Sequence, residues 1–140
     1  MTIIQIAISG FILLELSNVM MLYFAPGSKY ANAVGVFSDW EKSKQYPEIH
    51  DFVKYLVYWV AGTKLIFLVL LTVIIMFADP ETQRISVMAL IIAILSFYWR
   101  LFPLIRKMDQ NGQIEPKNYS VILGVMIFVF IIIFLIAVVI

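Results

Sequence analysis

The chain has 140 residues, 63% of them hydrophobic and only 14% charged, with mean hydropathy +0.98 and formal net charge +1. A soluble domain of this size is about half apolar and a quarter charged. The composition therefore excludes an ordinary soluble globule, and the near-zero net charge offers nothing for a nucleic-acid partner. With no cysteine and one histidine, His50, disulfides, thiolate metal sites and histidine-cluster metal or haem sites have no ligands, so no cofactor is expected.

Four apolar blocks, 2–24, 52–78, 85–102 and 119–140, are long enough to cross a bilayer as helices, which takes about 20 residues each. None shows the ten-residue alternation of a membrane β-barrel. The predicted fold is all-α: a single polytopic domain of four transmembrane helices in an up-down bundle. The first block lacks a preceding Lys or Arg and a small-residue cleavage site, so it is expected to remain as a span.

The first loop, 25–51, is long enough to hold a short surface helix, opened by a capping box at Ser38-Asp39-Trp40-Glu41. Pro47 is expected to start an overhang of the second helix. Tyr55, Tyr58 and Trp59 then enter that helix, and Phe97, Tyr98 and Trp99 leave the third, where amphipathic rings collect at an interface. Between spans two and three, Asp79 is expected to cap a helix that has Pro80 in its first position. The third loop, 103–118, turns at Asn111-Gly112.

Lys29, Lys42, Lys44, Lys54, Arg100, Arg106, Lys107 and Lys117 all belong to the side holding the first and third loops, against Arg84 alone on the other. Positive loops stay cytoplasmic. Both termini are thus expected outside and loops 25–51 and 103–118 inside, in a bacterial or archaeal plasma membrane. Arg100, Arg106 and Lys107 are candidates for lipid-headgroup contacts.

Glu15 in the first span and Lys64 in the second are the polar residues that the bilayer makes costly. At about 1.5 Å per residue each lies roughly 20 Å from the outer helix end. An unpaired charge there costs about 2.5–3.5 kcal/mol on insertion scales, so the two are expected to pair. Asn18, three residues on from Glu15, shares its face; Ser17 and Thr63 can join the network or bond back to their own helices. The pair is either a fixed packing element or a proton or cation site.

The third span carries Ser86, Ala89, Ala93 and Ser96 at helical spacing, a stripe that lets membrane helices approach closely. It is expected to form a seam within the bundle, with a homo-oligomer or partner interface as the alternative. The fourth span has no polar side chain from Val121 to Ile140, which places it at the periphery or against another apolar helix.

Two further patterns are set aside. Asp109-Gln110-Asn111-Gly112 imitates a calcium loop, but Lys107 and Asn118 occupy ligand positions. Asn118-Tyr119-Ser120 matches a glycosylation acceptor but falls on the cytoplasmic side. Catalysis is not expected, since no nucleophile has a base and an acid at a shared depth and His50 with Glu48 and Asp51 reads as an exposed helix start.

Four short helices with a glutamate midway along the first make a layout similar to that of the small multidrug resistance transporters. That resemblance implies proton-coupled use of Glu15. The longer first loop, Lys64 opposite the carboxylate and the one-sided charge distribution depart from it. The expected function is a non-catalytic membrane subunit, scaffold or assembly factor whose partners are the bilayer and other membrane helices. The alternative is a small oligomeric transporter or channel.

Overall fold

A computed structural model describes residues 2–140. Among them there are helices and no strands: α1 Ile3–Phe24, a 3-10 turn Val34–Val36, α2 Ser38–Ser43, α3 Pro47–Phe77, α4 Pro80–Leu95, α5 Phe97–Gln110 and α6 Tyr119–Val139. Four helical runs are long and apolar enough to cross a membrane, with α4 and α5 counting as one run from Pro80 to Gln110.

Contacts join α1 to α3, α3 to α4, α4 to α6 and α6 back to α1, so the four runs close into a ring. Its core gathers Ile4, Ile8 and Phe11 from α1, Leu71 from α3, Val87, Leu90 and Ile91 from α4, and Ile131, Phe134 and Ala137 from α6. Phe11 meets the rings of Phe67, Phe130 and Phe134 edge-on at 5.5–6.2 Å, an arrangement that aromatic quadrupoles favour. The uniformly apolar α6 is not peripheral. Phe134 has no exposed surface, because α6 packs on α4, α1 and α5 at once.

The third span differs from the expected 85–102. It starts at Pro80, breaks at Ser96 and continues to Gln110. At the break the Ser96 hydroxyl and amide both bond to Ala93 O, at 2.6 and 3.2 Å, which draws the backbone into a tighter turn. Pro103, inside α5, cannot donate to the carbonyl one turn earlier. The loop expected over 103–118 is therefore helical up to Gln110. Gly112, at φ +72°, makes the turn after it, a backbone setting that glycine adopts without steric cost.

Helix ends follow local chemistry. Thr2 and Gln5 form a capping box on α1. Asp79 caps α4, its Oδ1 accepting from Glu81 N and Thr82 N at 3.0 Å, with Pro80 first in the helix. Gln83 is buried and its Nε2 donates to Ala78 O at 3.0 Å and Ile75 O at 3.4 Å, so α4 closes the open carbonyl end of α3. The capping box expected at Ser38 does not form. Phe37 is the N-cap of α2, and the buried Ser38 hydroxyl has no partner. The backbone there is engaged elsewhere, as Ser38 N donates to Gln113 O at 2.9 Å.

That last bond belongs to a cap made by the two long connections. Phe37 and Ile114 form an antiparallel bridge, and Glu115 N donates to Val36 O at 2.9 Å. Val36, Ile105, Ile114 and Leu123 bury a small core beneath it. Leu22, Trp40, Val57 and Ala61 form another against α1 and α3. Gly35 lets the first connection cross itself: a Cβ there would stand 2.0 Å from Gly27 O.

The Asp79 cap predicts a pH dependence. Hydrogen bonds from the Thr82 hydroxyl, then from backbone amides, hold its carboxyl below the ordinary 3.8. A depressed native value means that the cap's contribution is complete above about 4 and is lost as pH falls through the native value. The melting temperature of Asp79→Ala should therefore lie below wild type at neutral pH, and the gap should close on acidification below 3.8. A gap constant across that range would show that the carboxylate is not the stabilising species.

Candidate functional site

The structure brings Glu15, Asn18 and Lys64 together. Lys64 Nζ donates to Glu15 Oε2 at 2.6 Å and to Asn18 Oδ1 at 2.7 Å. The side chains are 22% exposed at Glu15 and 31% at Lys64, and Asn18 is buried. Short, charge-assisted bonds of this kind are about twice as strong as neutral ones. Thr63 stays outside the network, its hydroxyl bonding back to Trp59 O at 2.9 Å, and Ser17 does the same to Leu14 O at 2.6 Å.

The network also extends where no spacing rule points. Asn18 Nδ2 donates to Ala31 O at 2.6 Å and Asn32 O at 3.0 Å. Ala31 and Asn32 adopt φ +49° and +58°, two successive left-handed residues whose carbonyls converge on one amide. That conformation costs an alanine about 1–2 kcal/mol, so the surrounding contacts hold it in place. The Tyr119 hydroxyl at the start of α6 bonds to Asn32 Oδ1. One polar knot thus ties α1, α3, the first connection and α6. Glu15, Lys64 and Asn18 were legible in the sequence, but nothing there singled out Ala31, Asn32 or Tyr119.

The small-residue stripe is not a seam within the ring. Ala89, Ala93 and Ser96 are exposed and Ser86 half-buried, while α4 buries Gln83, Val87, Leu90 and Ile91. Bulkier residues fill the inner face, and the small ones are left on the outside. Ser86 bonds to its own helix at Thr82 O, 2.7 Å away.

Ala93 and Ser96 instead border a lateral cavity of about 350 Å³ between α1, the α4–α5 break and α6. Phe11, Leu14, Met126 and Phe130 supply apolar wall, and Glu15 and Arg100 supply the charges. Arg100 is exposed, its guanidinium 5.3 Å from the Trp99 ring, within cation–π range. Arg106 is half-buried and Lys107 exposed on the same helix.

Asp109, set aside above as part of a false calcium loop, turns out to organise α6. Its Oδ1 accepts from Asn118 N at 3.0 Å, and its Oδ2 accepts from Ser120 N and Ser120 Oγ at 2.9 and 2.6 Å. Both oxygens are taken by the start of a helix, where backbone donors and dipole favour a carboxylate.

His50 is half-buried, 2.8 Å from Ser43 Oγ and 4.8 Å from the Trp40 ring centroid. The Ser43 hydroxyl also lies 2.7 Å from Trp40 O, and the contact with His50 fastens α2 to α3.

No family model, curated protein or solved structure matches this chain. Fold and site together define an all-helical protein with four helices able to span a membrane, tied by a polar knot that joins α1, α3 and the first connection.

Proposed function

We propose that this chain is a non-catalytic integral membrane protein that serves as a packed subunit or scaffold for other membrane helices. The observation that carries the reading is the way the polar knot joins two helices to a connection. Lys64 is held by two acceptors, and Asn18 by two loop carbonyls. Moving Lys64 off the pair would also strip the donor from Asn18 Oδ1, on the side chain that holds the first connection, which suits a fixed bundle better than a cycling proton site. The exposed Ala89 and its neighbours on α4 offer a close-approach face to a partner helix.

The topology we propose is up-down with both termini outside and the two long connections in the cytoplasm of a bacterial or archaeal cell. The charge distribution supports this orientation. The pairing of Phe37 with Ile114, which joins the two long connections, supports the up-down arrangement and leaves the orientation to the charges.

Purification of the tagged chain from its native membranes in mild detergent tests the proposal. A stoichiometric set of membrane partners is expected, and Ala89→Trp should release them while leaving the chain folded. The alternative is a small transporter that uses Glu15, favoured by the position of that carboxylate on the lateral cavity. A chain that purifies alone and carries a proton-coupled flux abolished by Glu15→Gln would replace the scaffold reading with this one.

A further inference from the structure

We propose that the lateral cavity holds one anionic phospholipid, its phosphate on Arg100 and an acyl chain along the apolar wall. The inference rests on the membrane placement above but not on the scaffold role. A volume of about 350 Å³ lies within the range of small-molecule pockets. Walls of Phe11, Leu14, Met126 and Phe130 suit a hydrocarbon chain and offer a soluble anion nothing.

The charges point to the headgroup. Lys29, Lys42, Lys44, Lys54 and Lys64 each pair with a carboxylate, at 2.6–3.2 Å. Among the described residues, Arg100, Arg106 and Lys107 form no such ion pair. Asp39, Glu41 and Asp51 are thus spent on nearby lysines and Glu115 on Lys29, and none of them reaches the basic residues of α5. Lys107 follows Arg100 by two turns on one face, roughly 10 Å further along. Arg100 and Lys107 thereby form a cationic line leading out from the cavity. Glu15, the one acid on the cavity wall, is already paired with Lys64 and so repels a phosphate only weakly. Basic pockets beside membrane helices on the cytoplasmic side are sites where anionic headgroups bind.

The test is native mass spectrometry of the delipidated full chain with added phosphatidylglycerol or phosphatidylcholine. One phosphatidylglycerol is expected to bind at least about tenfold more tightly than phosphatidylcholine, the scale of a charge-assisted contact. Arg100→Gln should erase that preference, Ala93→Phe should block both lipids by filling the cavity, and Arg84→Gln should change nothing. Equal binding of the two lipids by the wild-type chain overturns the proposal and needs no variant to fold. Displacement of the lipid by millimolar inorganic phosphate would also overturn it, by making the site one for a soluble anion. Carbonate extraction of the chain from membranes would remove the membrane placement itself. A chain that resists extraction but shows no lipid preference fails this inference alone.

Discussion

Lys64→Met alone is expected to destabilise the protein by about 1–3 kcal/mol, below the range for removing one partner of a fully buried pair because both side chains are partly exposed. The loss leaves the Glu15 carboxylate without its counter-charge and Asn18 Oδ1 without its donor. Glu15→Gln alone should also be costly, because it leaves the ammonium with neutral amide oxygens at positions 15 and 18 and no counter-charge. Combining the two removes both charges, so the double variant should lose less than the sum of the singles, with a coupling of about 1–3 kcal/mol. Unfolding in mixed micelles with a rising fraction of SDS measures all four proteins. Strict additivity would mean that the contact contributes nothing to packing. A double variant that folds normally yet loses all function would defeat the scaffold reading and leave the pair with a functional role.

Asp109→Ala should be the other severe substitution, costing about 2–4 kcal/mol, because it orphans three donors at the start of α6. Asp109→Asn, which keeps one acceptor oxygen, should fall between alanine and wild type. The effect has a local signature: hydrogen exchange at residues 118–122 should accelerate more than in the core of α6. Unchanged exchange there in a folded Asp109→Ala protein would show that the helix start is held by the loop cap instead.

How much of this was legible beforehand depends on the range of the interaction. The four spans, the Asp79-Pro80 helix start, the Asn111-Gly112 turn and the short helix before Pro47 all follow from hydrophobic length and from residues a few positions apart. The Glu15–Lys64 contact was also legible, because two costly charges at matched depth on consecutive helices leave few other partners.

Other features needed the third dimension. Asn18 reaching Ala31 and Asn32, Gln83 closing α3 and Asp109 capping α6 each join groups whose meeting depends on how the chain folds back. The Ser38 capping box failed for a similar reason: pairing with Gln113 repositioned the backbone of a segment read only from its neighbours. The break at Ser96 was hidden inside a continuous apolar run. The stripe at Ala89 and Ala93 faced outward because periodicity defines a helix face without saying what it faces. Sequence alone thus determined that this chain has four segments able to span a membrane and which charges lie within them, since hydrophobic length and transfer costs act residue by residue. Tertiary structure alone decided which face meets protein, which is left for lipid or partner, and how the connections lock the polar knot, because those outcomes depend on competition among distant contacts.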